Sequence, residues 1–453
     1  MNFSIIQKSQ LEGTDRVDAE YYQPEYLELA RKIRSVKNQS LKEIGVIRSG
    51  TTPTDRDDEL IDGVVLLKTT DIRNNILSND DNYYHITPKI AERMLKTKLE
   101  TNDILVNIVG ATLGVIGRAS LVPNSFPESN ITQAMALIRM KGTVYLPEFV
   151  FTYIMSKYGQ FQTDRLARPT GQFNLNLEEL GQVLVPEISI SKQKDVAETI
   201  KNVMELQEES KKTYQHAENL LLEELGLKDF KIPEDLSYIV NYSDTENVDR
   251  VDADYFQPKY EFLIKKIENK KRLFEFTNKA NKSFKTEPDI EYNYIEISDV
   301  NVGTGDVIFN KVVGKELPAN AKIKVSGGEL IISKVRPTRG AVAIIPDEYN
   351  QNFVASGAFF IFKVTSPTRE FLQVVLRSMI GKLQMERPTT GTSYPTITDQ
   401  DVENLWIPDV KIETQQKIAN LVTKSHEARK KSKELLEEAK RKVEEMIEKG
   451  DKN

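Results

Sequence analysis

The sequence predicts an α+β protein of two similar mixed α/β domains. They are separated by two long helices that pair as an antiparallel coiled coil, the whole forming a pseudo-two-fold internal repeat. Three observations carry this: a motif written twice, short apolar runs of strand length between turn residues, and one heptad frame near the end of each half.

The motif is Asp15-Arg16-Val17-Asp18-Ala19-Glu20-Tyr21-Tyr22-Gln23-Pro24-Glu25-Tyr26. It returns as Asp249-Arg250-Val251-Asp252-Ala253-Asp254-Tyr255-Phe256-Gln257-Pro258-Lys259-Tyr260. Such self-similarity fixes the organisation before any element is assigned. Further pairs follow in the same order: Thr70-Asp71-Ile72 with Ser298-Asp299-Val300, Asp103 with Glu329, Gly114 with Gly340, Glu148 with Glu370, Arg168 with Arg387, and Val185-Pro186 with Ile407-Pro408.

A short helix follows each motif. Its apolar face is Leu27, Ala30 and Ile33 in one copy, and Phe262, Ile264 and Ile267 in the other. We expect the aspartates of the motif to cap this helix and the tyrosines to tie it to the long helix of the other half. Ile104-Leu105-Val106, Val115-Ile116, Ile331-Ile332 and Ala343-Ile344-Ile345 read as strands bounded by Gly, Pro and Asn turns. Residues 147–161 and 368–384 read as helices. Each long helix follows a proline, Pro186 or Pro408, which suits a helix start. In the first, Val196, Ile200, Val203, Gln207, Ser210, Tyr214, Ala217 and Leu221 alternate steps of four and three. The second repeats the frame as Ile418, Val422, Ser425, Arg429, Ser432, Leu436, Ala439 and Val443. This is a coiled-coil seam with a small or polar centre. At 1.5 Å per residue each helix is about 50 Å long, which would hold the two mixed domains at opposite ends of a rod.

With 453 residues there is length for two to four domains. Cysteine is absent, which excludes disulfides, thiolate metal sites and cysteine nucleophiles. The three histidines, His85, His216 and His426, are too far apart in sequence for paired metal ligation, with His85 expected in a polar loop. No phosphate-binding loop, Gly-x-Gly-x-x-Gly turn or amino-methyltransferase signature is present. The Pro288-Asp289…Glu296 stretch and the acidic run Asp55-Arg56-Asp57-Asp58-Glu59 are better read as turns than as metal sites. No catalytic residue and no metal ligand is assigned. The first residues lack an apolar core of signal-peptide length, so a cytoplasmic location is expected.

Two turns in each half carry hydrogen-bonding and basic side chains. Lys334-Val335-Arg336-Pro337-Thr338-Arg339-Gly340 places three positive charges within six residues; the matching stretch of the first half is uncharged, with Arg118 just beyond it. The second turn holds Arg168, Thr170, Gln172, Phe173 and Asn174 in one copy, and Arg387, Thr389, Thr392, Ser393 and Tyr394 in the other. These residue types bind phosphates and read base edges. The candidate DNA contacts are therefore Arg118, Arg168, Thr170, Gln172, Asn174, Lys334, Arg336, Thr338, Arg339, Arg387, Thr389, Thr392 and Tyr394. Candidate coiled-coil and docking residues are Val196, Ile200, Val203, Tyr214, Leu221, Ile418, Val422, Leu436 and Val443.

The duplicated motif and the Gln-rich first turns of the long helices (Gln193; Gln415-Gln416) resemble the specificity subunits of type I restriction-modification enzymes over nearly the whole chain. The resemblance implies a target recognition domain at 1–186, a long helix and linker at 187–235, a second target recognition domain at 236–408 and a second long helix at 409–453. Each recognition domain would read one half of a bipartite double-stranded DNA target. The helices would set the spacer and dock methyltransferase subunits, two of them, with restriction/translocase subunits joining through the complex. No cofactor is implied for this chain; S-adenosylmethionine, ATP and Mg2+ would serve the partner subunits. A different class, a duplicated coiled-coil scaffold that binds only proteins, fits the same repeats without the turn chemistry.

The formal charge of −6 argues against a simple basic DNA binder. It is unevenly spread: residues 187–248 alone carry a net −7, while 36–186 and 249–408 net −1 and +1. Near-neutral recognition domains must gather their basic groups on one face, and imply weak DNA binding without partners.

Overall fold

The structure, a computed structural model, describes residues 5–7, 16, 18–57, 60, 62–78, 83–169, 171–231, 237–248, 250–280, 283–391 and 394–449. The chain divides into two compact units, Met1–Gln207 with Arg429–Asn453, and Glu208–Ala428. Each long helix, Ile190–Glu224 and Ile412–Lys449, is shared between them.

In the first unit a five-stranded sheet runs in the order Gly45–Ser49, Met135–Met140, Ile104–Asn107, Ala119–Leu121, Asn75–Ile76. A three-stranded sheet beside it pairs Val64–Leu67 in parallel with Ser129–Ile131 and antiparallel with Tyr84–Ile86. His85 thus lies in a strand and not in a loop. The second unit has a four-stranded sheet in the order Asn278–Lys279, Phe359–Lys363, Leu330–Ser333, Val342–Ile344. A second sheet pairs Glu291–Ile295 in parallel with Phe353–Ser356.

Ladder register corrects one pairing of the halves. Asn107 N–H donates to Arg118 O, and Ser333 N–H donates to Ala341 O. The partner of Gly340 is therefore Gly117 and not Gly114; both have positive φ, 86° and 72°. The loop before this glycine is three residues shorter in the second unit.

The helices expected over 147–161 and 368–384 are each broken in two: Pro147–Met155 and Lys157–Leu166, Thr368–Arg377 and Met379–Glu386. The breaks fall at Ser156 and Ser378, whose hydroxyls accept from Gly159 N–H and Ile380 N–H. Gly159 and Gly381 then pack against backbone so closely that a Cβ would sit 2.3 Å from Tyr153 O or Leu376 O. The serine caps start new helices, and only glycine admits the turn that follows.

Glutamines, Gln162 buried and Gln384 half-buried, join these helices to the next strand in the same way in each unit. Gln162 donates to Leu184 O (3.0 Å) and accepts from Leu184 N–H (2.8 Å). Gln384 does the same with Trp406 O (2.8 Å) and N–H (2.7 Å). Gln193 accepts from Leu146 N–H, and Gln415 accepts from the Thr368 hydroxyl. The Gln-rich first turns thus serve packing within each unit. The prolines before the long helices end strands, Leu184–Pro186 and Trp406–Pro408, rather than open the helices.

The heptad positions are buried except Gln207, which is half-buried. Val196, Ile200, Val203, Leu436, Ala439 and Val443 join the core of the first unit. Tyr214, Ala217, Leu221, Ile418 and Val422 join that of the second. The Ser210 and Ser425 hydroxyls meet at 2.9 Å within the second unit.

The short helices are Pro24–Arg34 and Pro258–Lys266. In the second the buried face is Tyr260, Leu263 and Ile267, while Phe262 is exposed. The aspartates of the duplicated motif do not hold the cap positions of these helices: Gln23 and Gln257 do, and neither makes a side-chain capping bond. Asp18 instead grips Arg16 through two contacts of 2.8 Å and accepts from Tyr21 N–H. Asp252 does likewise with Arg250 and Tyr255 N–H. Tyr21 lies beneath Arg165 (4.0 Å), and Tyr255 beneath Arg387 (4.7 Å).

Candidate nucleic-acid interface

In each unit the loop leaving the central strand lies beside the hairpin that follows the second broken helix. In the first unit Val109–Gly110 pairs with Phe173–Asn174, which pairs with Arg168–Pro169. In the second, Val335 and Thr390 each bridge to Thr396. Leu175 N–H donates to Ile108 O, and Ile397 N–H to Lys334 O. The two turns singled out in each half of the sequence are thus brought together.

In the second unit Lys334 reaches toward Asp399 (3.9 Å) with its ammonium over the Phe360 ring. The Arg336 guanidinium lies 4.6 Å from the exposed Tyr394 ring. Thr338 and Arg339 complete the turn, with Arg339 exposed. Partial desolvation of its guanidinium in the turn pushes Arg339 below its ordinary range, and the positive charge of Arg336 adds to this.

The first unit holds a similar pair of cations on different residues. Arg118 donates to Gly114 O (2.6 Å), and its guanidinium is lowered by burial and by neighbouring Arg73. Arg73, which sequence reasoning missed, donates to Thr70 O (2.9 Å). It directly follows the Thr70-Asp71-Ile72 segment, and that duplicated segment was the available signal. Lys68, also missed, stands over the Tyr84 ring at 4.6 Å. Gln172 and Asn174 are exposed on the hairpin.

Three candidate contacts have other partners. Arg387 is engaged by Glu261 (2.9 Å), Tyr255 O and the Tyr255 ring. Its counterpart by these contacts is Arg165, which donates to Tyr21 O (2.8 Å), and not Arg168. Arg168 pairs with the buried Glu179 carboxylate at 2.6 Å. The Thr389 hydroxyl donates to Glu386 O (2.7 Å). Thr170 and Thr392 lie outside the described residues, as do Asp58 and Glu59 of the acidic run. Asp55 of that run pairs with Arg93 (2.7 Å), and among the described residues no acidic or histidine cluster could hold a metal ion. No helix among the described residues is long and apolar enough to cross a membrane.

The loops are held from behind by different side chains. Gln160 donates to Ile116 O and to Asp164 Oδ1, both at 2.8 Å. Burial raises the Asp164 carboxyl to about 6, the Gln160 bond opposing the shift. The folded protein therefore holds this proton more tightly than the unfolded chain, so stability falls as pH rises from about 4 to 6 and stays lowered above. Asp164→Asn is expected to stabilise the first unit by about 1–2 kcal/mol at pH 7.5, after allowance for partial solvent screening, and to change it little at pH 4. Denaturation midpoints at the two pH values check this; equal gains at both would contradict it.

Residues 265–441 match the family described as Type I restriction modification DNA specificity domain. This stretch is similar to type I DNA specificity domains. The chain is 28% identical over 134 residues to the specificity subunit of type I restriction enzyme HindI of Haemophilus influenzae, covering 27% of this chain and 29% of that one. It is 28% identical over 160 residues to the EcoBI specificity subunit of Escherichia coli, covering 35% and 31%. The matched stretches thus span under a third of those relatives' own length. A crystal structure of a type I restriction-modification S subunit from M. genitalium aligns over 91% of this chain and 95% of that one, at 14% identity and a TM-score of 0.36. The matched stretch takes in Lys334, Arg336, Thr338, Arg339 and Tyr394, and so includes the basic turn of the second unit.

Proposed function

We propose that the chain is a non-catalytic DNA-recognition subunit of a type I restriction-modification complex. Each unit would read one half of a bipartite target in double-stranded DNA through its paired loop and hairpin. The observation that carries this reading is the crowded guanidinium pair at the same loop cluster in both units, Arg73 with Arg118 and Arg336 with Arg339. Neighbouring cations are stabilised by an arriving polyanion, and a duplex supplies closely spaced phosphates. Different residues at equivalent turns suit two units that read different bases.

The long helices are read as an antiparallel coiled coil relating the halves by a pseudo-two-fold axis. They would set the spacer and dock two methyltransferase subunits, with restriction subunits joining through these. Methylation and ATP-driven cleavage would belong to those partners, together with S-adenosylmethionine, ATP and Mg2+.

Duplex affinity of the full chain, with and without methyltransferase subunits, over a salt series tests the reading. Expected is weak binding alone, tighter binding in the complex, and a log–log salt slope of several units. Binding to the methyltransferase with no salt-dependent duplex affinity in either state would leave the protein-scaffold reading standing instead.

A further inference from the structure

Among the described residues four non-glycine positions have positive φ: Asn74, Asn102, Asn352 and Arg336, the last at φ 48° and ψ 50°. Asparagine tolerates the left-handed region because its short side chain bonds locally. Arginine has no such relief, so position 336 is strained where asparagine or glycine would be relaxed. Its backbone is nevertheless pinned: Arg336 N–H donates to Pro395 O (2.7 Å), and Arg336 O accepts from Arg339 N–H (3.0 Å). The side chain is steadied by Tyr394, whose ring is 69% exposed and lies 4.6 Å from the guanidinium. The fold thus keeps an arginine at a turn tip where stability alone favours another residue, and holds its planar head against an aromatic face open to water. Strain retained in this way marks functional positions.

We infer that Arg336 is the specificity-determining residue of the second unit, and that its half-site contains a G·C pair whose guanine is read at O6 and N7. This deepens the proposed function and rests on it. A planar fork of donors matches these two acceptors in one fixed geometry, which a single ammonium holds less rigidly, whereas an amide matches adenine instead. Arg339, exposed beside it and not stacked on a ring, is assigned to phosphate.

The test selects from randomised duplexes with the full chain bound to its methyltransferase subunits, and measures thermal midpoints of the same variants. Wild type is expected to enrich a two-part motif with a fixed guanine in one part. Arg336→Asn and Arg336→Gly should lose the preference at that position by about tenfold or more. Both should keep the other half-site and show an unchanged or raised midpoint. Arg336→Lys should keep its affinity and part of the guanine preference, less than wild type and more than Arg336→Asn, and Arg339→Ala should weaken all sequences evenly. An unchanged motif in Arg336→Asn, or a midpoint that falls by several degrees, overturns the inference. A wild-type complex that enriches no motif overturns the proposed function itself, and the inference with it.

Discussion

Arg377→Met is expected to destabilise the second unit by about 3 kcal/mol, the scale for removing a buried charged donor from several acceptors. Arg377 ends the helix Thr368–Arg377 and is buried. Its guanidinium donates to four carbonyls: Gly303 (2.7 Å), Val302 (3.1 Å), Gly340 (3.3 Å) and Val342 (3.3 Å). Two belong to the loop after Asp299, one to the turn that closes the basic loop and one to the start of the strand Val342–Ile344. Gly305 has φ 73°, and a Cβ there would lie 2.8 Å from Arg377 Nη1, so this loop is shaped around the guanidinium. Methionine fills similar volume but leaves the four acceptors without a common donor. Lysine has one compact head and cannot span both loops, so Arg377→Lys should recover less than half of the loss. Hydrogen exchange resolves the effect by segment: protection should fall over 301–306 and 340–343 and remain over 104–107 in the first unit. A loss under about 1 kcal/mol would show that water replaces the guanidinium at little cost.

The first unit has Met155 at the position of Arg377, and the contrast shows what the sequence could and could not reveal. Strands such as Ile104–Asn107 and Leu330–Ser333 were legible because burial on both faces demands unbroken apolar runs. The heptad positions were legible because helix periodicity is local. The helix breaks at Ser156 and Ser378 were harder, since the deciding contact is backbone on backbone at Gly159 and Gly381. At the candidate interface the turns were legible by composition, but the use of each arginine was not. Arg336 and Arg387 look alike in sequence; one stands over an exposed ring at a strained tip, the other pairs with Glu261 and covers Tyr255. Arg73 escaped because the duplicated Thr70-Asp71-Ile72 segment before it marks a turn and not a contact; only the fold brings it to Arg118.

The duplicated Asp-Arg-x-Asp motif yields the second large effect, and an internal comparison. In both copies the arginine pairs with its own aspartate and caps carbonyls at the end of the helix it faces. Arg16 donates to Leu166 O at 2.9 Å and more distantly to Arg165 O and Ala167 O. Arg250 reaches Pro388 O at 3.2 Å and Thr389 O at 3.4 Å. The Arg16 side chain is 9% exposed and that of Arg250 23%. Tyr22 adds a bond from its hydroxyl to Arg16 O (3.1 Å), for which Phe256 has no equivalent. Arg16→Met is therefore expected to cost the first unit about 3 kcal/mol, and Arg250→Met the second about 1 kcal/mol, because water competes for the more exposed guanidinium. The hydrogen bond from Arg16 holds the Asp18 carboxyl below its ordinary range, and Arg250 does the same for Asp252. A depressed carboxylate contributes its full stabilisation above the unfolded value near pH 4 and loses it as pH falls through the folded value. The penalty of either substitution should thus be constant from pH 5 to 8 and shrink below pH 4. Segment-resolved exchange over 163–168 and 385–390, taken at pH 7 and pH 3.5, measures both. Equal penalties in the two copies would mean that the motif acts through its backbone turn and the tyrosine stack rather than through the buried guanidinium. A penalty that grows at low pH would mean that the carboxylate opposes the arrangement it touches.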